Sequence, residues 1–409
     1  MAQDLKSVSG PNRLSASQAA QQIREGALSA AELMQACLER IGAREDERRA
    51  WAYIDPDQAM AAAEACDRAP KTGPLAGVPI GIKDIIDTAD MPTEFGSPIY
   101  RNHQPACDAS CVGLLRMAGA IVLGKTVTCE FAGSFAGPTT NPHNPRHSPG
   151  GSSSGSAAAV ADFMVPVALG TQTGGSVLRP SAYCGIVGYK PGFDTFNLGG
   201  VKPAAQSLDT LGIHARTLED VELLTACLIG RPVRALEPPK STLRIGFCRT
   251  PLWDAAQPET VSAMEDAASR LTASGAELRE IDLPGTFAGL NAAREKINAY
   301  ERARLMAYEW THHRDALSDH LRGVIGEGHA MAYDDYVAAI TLGEHCRAQI
   351  PKIFSDLDLI LAPAANGEAP EGLASTGDAR FQGIWTFMHL PAITLPTHRS
   401  AAGLPVGIQ

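Results

Sequence analysis

Gly170-Thr171-Gln172-Thr173-Gly174-Gly175-Ser176-Val177-Leu178-Arg179-Pro180 follows directly on an apolar run at 165–169. A short apolar run bounded by glycines reads as a buried strand. A strand that ends in Thr-Gly-Gly-Ser can turn sharply, because glycine accepts backbone angles that other residues avoid. Such a turn exposes the Ser176 hydroxyl together with successive backbone N–H groups. Those groups suit acyl transfer, where removing one donor to the developing oxyanion typically costs about 2.7–4 kcal/mol.

A serine hydroxyl is a weak nucleophile until a base takes its proton. Histidine is the usual base, but none of the eleven histidines has a persuasive setting. His143 and His147 lie in a Pro-rich loop, and His312 and His313 in a charged helical stretch. Lys83 differs, because it closes Gly77-Val78-Pro79-Ile80-Gly81-Ile82-Lys83-Asp84, where an apolar strand carries it inward. Burial lowers the pKa of a lysine and lets it act as a base. On these residues alone, a lysine at a strand end paired with Asp84 or Asp87 is the favoured reading.

Between the two stretches lies Ser148-Pro149-Gly150-Gly151-Ser152-Ser153-Ser154-Gly155-Ser156, followed by an Ala-rich helical segment. A flexible linker is one reading, and phosphate binding at a helix start is another. No Lys-Ser or Lys-Thr pair follows at P-loop spacing, which weakens the second. Residues 151–155 also match G-x-S-x-G. That motif needs a strand before it, whereas 141–149 carries Pro142, Pro145 and Pro149, which oppose strand pairing.

Further out, apolar runs at 78–82 and 120–124 alternate with helical stretches at 111–118 and 157–161, the signature of α/β layering. Residues 15–67 form a helical lead-in, 218–230 a helix, and 231–240 a connector. A strand–helix–strand unit is expected over 243–248, 258–274 and 278–283, then a mainly helical stretch at 287–350 and a strand at 357–362.

The 409 residues hold 35 Lys and Arg against 45 Asp and Glu, a formal charge of −10, which disfavours direct nucleic-acid binding. Residues 1–15 lack the apolar core of a signal peptide, and no stretch approaches the roughly 18 apolar residues of a membrane helix. Nine scattered cysteines fit a reducing, cytoplasmic compartment, with Cys107 and Cys111 as structural thiols.

Taken together, Lys83, the Gly-Gly-Ser-Ser loop and the Thr-Gly-Gly-Ser turn resemble the amidase signature family. The likeness extends through Glu130-Phe131-Ala132-Gly133, residues 184–191, Ser207-Leu208-Asp209-Thr210, Trp385-Thr386 and Gly403-Leu404-Pro405-Val406-Gly407. It implies an α/β amidase signature fold, with a central mixed β-sheet covered by helices on both faces. One domain over 1–409 is expected: the lead-in, a signature core at about 68–230, and a less typical part at about 240–409.

The resemblance also implies a triad in which Ser176 attacks, Ser152 after a cis peptide relays the proton, and neutral Lys83 is the base. Thr173, Gly174, Gly175 and Ser176 would form the oxyanion hole, and Arg179, Gly133 and Ser134 would contact a small-molecule amide. It brings no metal and no cofactor. Gln172 stands where many members carry Asp, a change expected to alter loop hydrogen bonding rather than chemistry. Arg179 resembles malonamidase-like members in which that arginine binds a substrate carboxylate, with a structural arginine as the other reading. Many members continue past the point matching Gln409. A homodimer is one candidate assembly, and a glutaminase (A) subunit of a glutamyl-tRNA amidotransferase is the alternative function.

Overall fold

The protein is described by a computed structural model covering residues 10–409, so the reading of the first nine residues lies outside the described residues. Eleven strands are found among the described residues. They are β1 (Trp51–Ile54), β2 (Pro79–Lys83), β3 (Ile121–Thr126), β4 (Val167–Gln172), β5 (Val187–Lys190), β6 (Thr210–Ala215), β7 (Arg244–Cys248), β8 (Glu277–Ile281), β9 (Leu359–Leu361), β10 (Ala392–Arg399) and β11 (Pro405–Ile408). Eight form a mixed sheet in the order β1-β3-β2-β4-β6-β5-β10-β11, and three form a parallel sheet β8-β7-β9. The two sheets meet where Ala362, just past β9, exchanges backbone hydrogen bonds of 2.8 and 2.9 Å with Gln409, just past β11.

The continuous apolar runs explain the centre of the large sheet, since every residue of β2, β3, β4 and β6 is buried. β2 is parallel to both β3 and β4, with Ile82 opposite Leu169 and Lys83 opposite Thr126. Parallel strands deliver their C-terminal ends to one edge, which is where open α/β sheets place their sites. Lys83 and the turn after β4 therefore arrive side by side.

The expected lead-in consists of the helices Ala16–Glu25, Ala30–Arg48 and Pro56–Arg68. Ser15 with Gln18, and Ser29 with Glu32, form capping boxes at the first two starts. β1 interrupts this helical stretch, a correction to the sequence reading: four residues are too few for a legible alternation, and their strand form comes from antiparallel pairing with β3. Arg40, Arg44 and Arg48 converge on buried Asp162, with Arg48 Nε 2.7 Å away, and tie the lead-in to the helix Ser154–Ala161. That helix is buried at every residue, and Gly155 faces the backbone of Ala50 and Val127 so closely that a Cβ would stand 2.2 Å from Ala50 O.

The expected strand–helix–strand unit is β7, Pro258–Ala273 and β8, and the helix-rich stretch contains Leu290–Leu305, Asp319–Ala330 and Tyr333–Arg347. β5, β6, β10 and β11 carry no strand expectation from the sequence. In β10 the register with β11 shifts between Leu395 and His398, around Pro396, which breaks the alternation that would mark a strand.

Candidate active site

Lys83 is fully buried and donates to Ser152 Oγ at 2.8 Å and to Thr171 Oγ1 at 2.9 Å. The anticipated pairing with Asp84 or Asp87 does not form. Asp84 instead faces Lys125 Nζ at 3.3 Å. Burial lowers the Lys83 pKa to about 7; Cys129 and Asp209 pull it upward, and Arg302 and Arg179 add to the lowering. The Gly151–Ser152 peptide is cis, as the resemblance implies.

After β4 the chain turns through 173–177 into the helix Leu178–Cys184. Among the described residues, the N–H groups of Thr173, Gly174, Gly175 and Ser176 donate to no protein acceptor. Four adjacent unbonded donors are unusual, because buried backbone groups are nearly always paired. Side chains hold the turn from behind. Thr173 Oγ1 donates to Asp209 Oδ1 at 2.6 Å, and Asp209 Oδ2 accepts from Ala204 and Ala205 N–H. Gln172 Oε1 accepts from the N–H groups of Val177 and Leu178 at 2.8 and 3.0 Å. Ser153 N–H donates to Ser176 O at 3.4 Å, which seats the 148–156 loop beside the turn. Ser176 Oγ itself forms no hydrogen bond among the described residues, so the Ser152–Ser176 leg of the relay is not hydrogen-bonded here.

Ser176, Thr173, Gly174, Gly175, Arg179, Gly133 and Ser134 all line one cavity of about 600 Å3. Lys83 and Ser152 are buried and are not among the residues that line it. Arg179 donates to Thr376 O and to Gly151 O, each at 2.7 Å, while its Nη1 is buried without a partner. It therefore braces the Ser152 loop and keeps one donor nitrogen unused. Gln382 Oε1 is likewise unpaired, and both atoms approach the space a Gly175 side chain would fill. A Cβ on Gly174 would lie 3.0 Å from Arg294 Nη1. The glycine pair thus permits two guanidinium groups to lie against the turn.

Charge is layered in this cavity. Arg179 and Arg294 are 4% and 8% exposed, and burial lowers the pKa of both. The carboxylates of Glu295 and Asp319 are 72% and 94% exposed, so the acidic groups sit at the rim. Sequence reasoning missed Arg294 and Thr171. Thr171 lies inside the decisive stretch, and its nearness to the Lys83 register could have revealed it. Arg294 lies in a charged helix with no local signal.

The Amidase family model matches residues 32–409. A Roseiflexus sp. (strain RS-1) protein named as the A subunit of glutamyl-tRNA(Gln) amidotransferase is 34% identical over 97% of this chain and 92% of its own length. A protein of the same name from Synechococcus sp. (strain RCC307) is 31% identical over 95% and 91%. Among solved structures, an amidase superposes with a TM-score of 0.88 at 29% identity, covering 97% of this chain and 95% of that one. The peptide amidase PAM bound to the competitive inhibitor chymostatin gives 0.83 at 30% identity, covering 97% and 93%. With a buried lysine–serine pair beside an open glycine turn, and with likeness along nearly its full length, this chain belongs to the amidase signature family.

Proposed function

We propose that this protein hydrolyses the C–N bond of a small linear amide through a Ser176 acyl-enzyme, with Ser152 and Lys83 as the proton relay. The observation that carries the reading is Lys83: buried, titrating near 7, and bonded to Ser152 near a cavity that exposes Ser176 among four unbonded N–H groups. Neutral Lys83 takes the Ser152 proton as Ser152 takes that of Ser176, and Ser176 Oγ bonds to the carbonyl carbon. The oxyanion is held by the N–H groups of the turn. The relay then protonates the leaving nitrogen, the C–N bond breaks, and ammonia or an amine departs. Water next gives a proton to the relay while its oxygen adds to the acyl carbon. Collapse of that adduct breaks the ester, and the proton returns to Ser176. Hydrogen bonds of this kind commonly tighten only when substrate is bound, which accommodates the open Ser152–Ser176 leg.

For the acyl group, the buried arginines favour an anionic amide or ureide whose carboxylate reaches inward past the acidic rim. The nine free thiols fit action in the cytoplasm. The test is a fluorophosphonate probe followed by intact-mass and peptide analysis. Labelling at Ser176 that disappears in Ser176→Ala supports the reading, and an unlabelled, folded protein sinks it. Turnover of neutral, aryl and carboxylate-bearing amides then ranks the acyl groups.

A second reading is a glutaminase component of a glutamyl-tRNA amidotransferase-like complex, favoured by the names of the relatives. Glutamine carries both charges that the layered cavity could meet. Ammonia release from glutamine only when partner subunits are added would select it, and turnover of simple amides by the isolated chain would select the first.

A further inference from the structure

We propose that Thr386 is a positioning residue that sets the direction of the Gly175 N–H. The inference rests on the proposed role of the 173–176 turn in holding the oxyanion. Thr386 lies in the helix Arg380–Phe387, far along the chain from the turn, and is 1% exposed. Its hydroxyl accepts from Gln172 Nε2 at 2.9 Å and lies 2.7 Å from Gly174 O and 3.2 Å from Gln382 O. A hydroxyl has one proton to donate. The shorter contact takes it, so the bond to Gly174 O dominates.

Gly174 C=O and Gly175 N–H share one peptide plane, and in a trans peptide they point in opposite directions. Drawing the carbonyl toward the helix aims the N–H away from it, where no protein group accepts it. Two successive glycines put little steric restraint on that plane, so an external tether is needed to stop it rotating. Gln172 is the second arm of the tether. Its Oε1 holds the N–H groups just after Ser176, and its Nε2 fills the acceptor side of the Thr386 hydroxyl, leaving the proton for Gly174. An ionised carboxylate at position 172 could still accept from Val177 and Leu178. Having no donor, it would draw the Thr386 proton to itself and release the Gly174 carbonyl.

The test uses the purified full chain and the rate of fluorophosphonate labelling, since the probe's phosphoryl oxygen occupies the oxyanion position. Thr386→Val keeps the shape and removes the hydroxyl, Thr386→Ser restores it, and Gln172→Glu diverts its proton. Deleting an oxyanion donor outright costs about 100- to 1,000-fold, so misaiming one predicts roughly tenfold or more slower labelling in Thr386→Val and Gln172→Glu. Thr386→Ser should stay within about threefold of wild type on the same scale. On p-nitrophenyl butyrate the loss should fall on kcat, with KM little changed. Equal labelling of wild type and Thr386→Val, or a Thr386→Ser as slow as valine, overturns the inference while leaving the nucleophile assignment intact. A wild-type protein that never labels overturns that assignment instead. Should Thr386→Val not fold, Gln172→Glu carries the test, and a wild-type rate in it is the overturning result.

Discussion

Lowering the pH should switch this protein off through one side chain, and the profile can be worked from the burial of Lys83. An ordinary lysine with a pKa of 10.5 is neutral in only about 1 molecule in 3,000 at pH 7. Burial brings Lys83 to about 7, so about half of the molecules hold it neutral at that pH. The base must be neutral to accept a proton, so activity rises with pH through 7 and levels off above it. At pH 5.5 the neutral fraction is about 3%, giving roughly a 30-fold loss from the plateau and close to tenfold per unit further down. Fluorophosphonate labelling of Ser176, followed from pH 5.5 to 9 at constant ionic strength, reads this without knowledge of the substrate. Lys83→Ala should slow labelling by about 100- to 10,000-fold, the usual span for a lost general base, and erase the midpoint near 7. A flat profile in wild type, or a midpoint above 9, would refute the assignment of Lys83 as base.

Ser152→Ala should leave the fold intact and cut labelling by about 100-fold or more, as loss of a proton-transfer partner does; a rate near wild type would mean that Lys83 reaches Ser176 without it. Arg294→Gln should lower the kcat/KM ratio of carboxylate-bearing to neutral amides by about tenfold, the value of one charge-assisted hydrogen bond, and an unchanged ratio removes Arg294 from the acyl pocket. Arg179→Ala is a poorer probe of specificity than the sequence implied, because it also frees Gly151 O and Thr376 O; activity on neutral and anionic amides should fall together. Asp162→Ala leaves three arginines without their shared carboxylate and should cost about 3–5 kcal/mol in urea unfolding.

The sequence by itself determined the local chemistry. The runs leading to Lys83 and Ser176, the α/β alternation and the two glycine-rich stretches are all short-range features, fixed by apolar runs and by backbone freedom at glycine. The resemblance added Ser152 between them. Only the tertiary structure decided the rest. Parallel pairing of β2 with β4 puts Lys83 beside Thr171, and Asp209, in the turn just before β6, clamps Thr173. Arg294 and Thr386 reach the same turn from two helices of the second half. Nothing local marks those last two, because an arginine in a charged helix and a threonine in an apolar one look ordinary until packing sets an unbonded donor or a single hydroxyl proton against a glycine. Their roles come from proximity between distant segments, which packing of the whole chain creates.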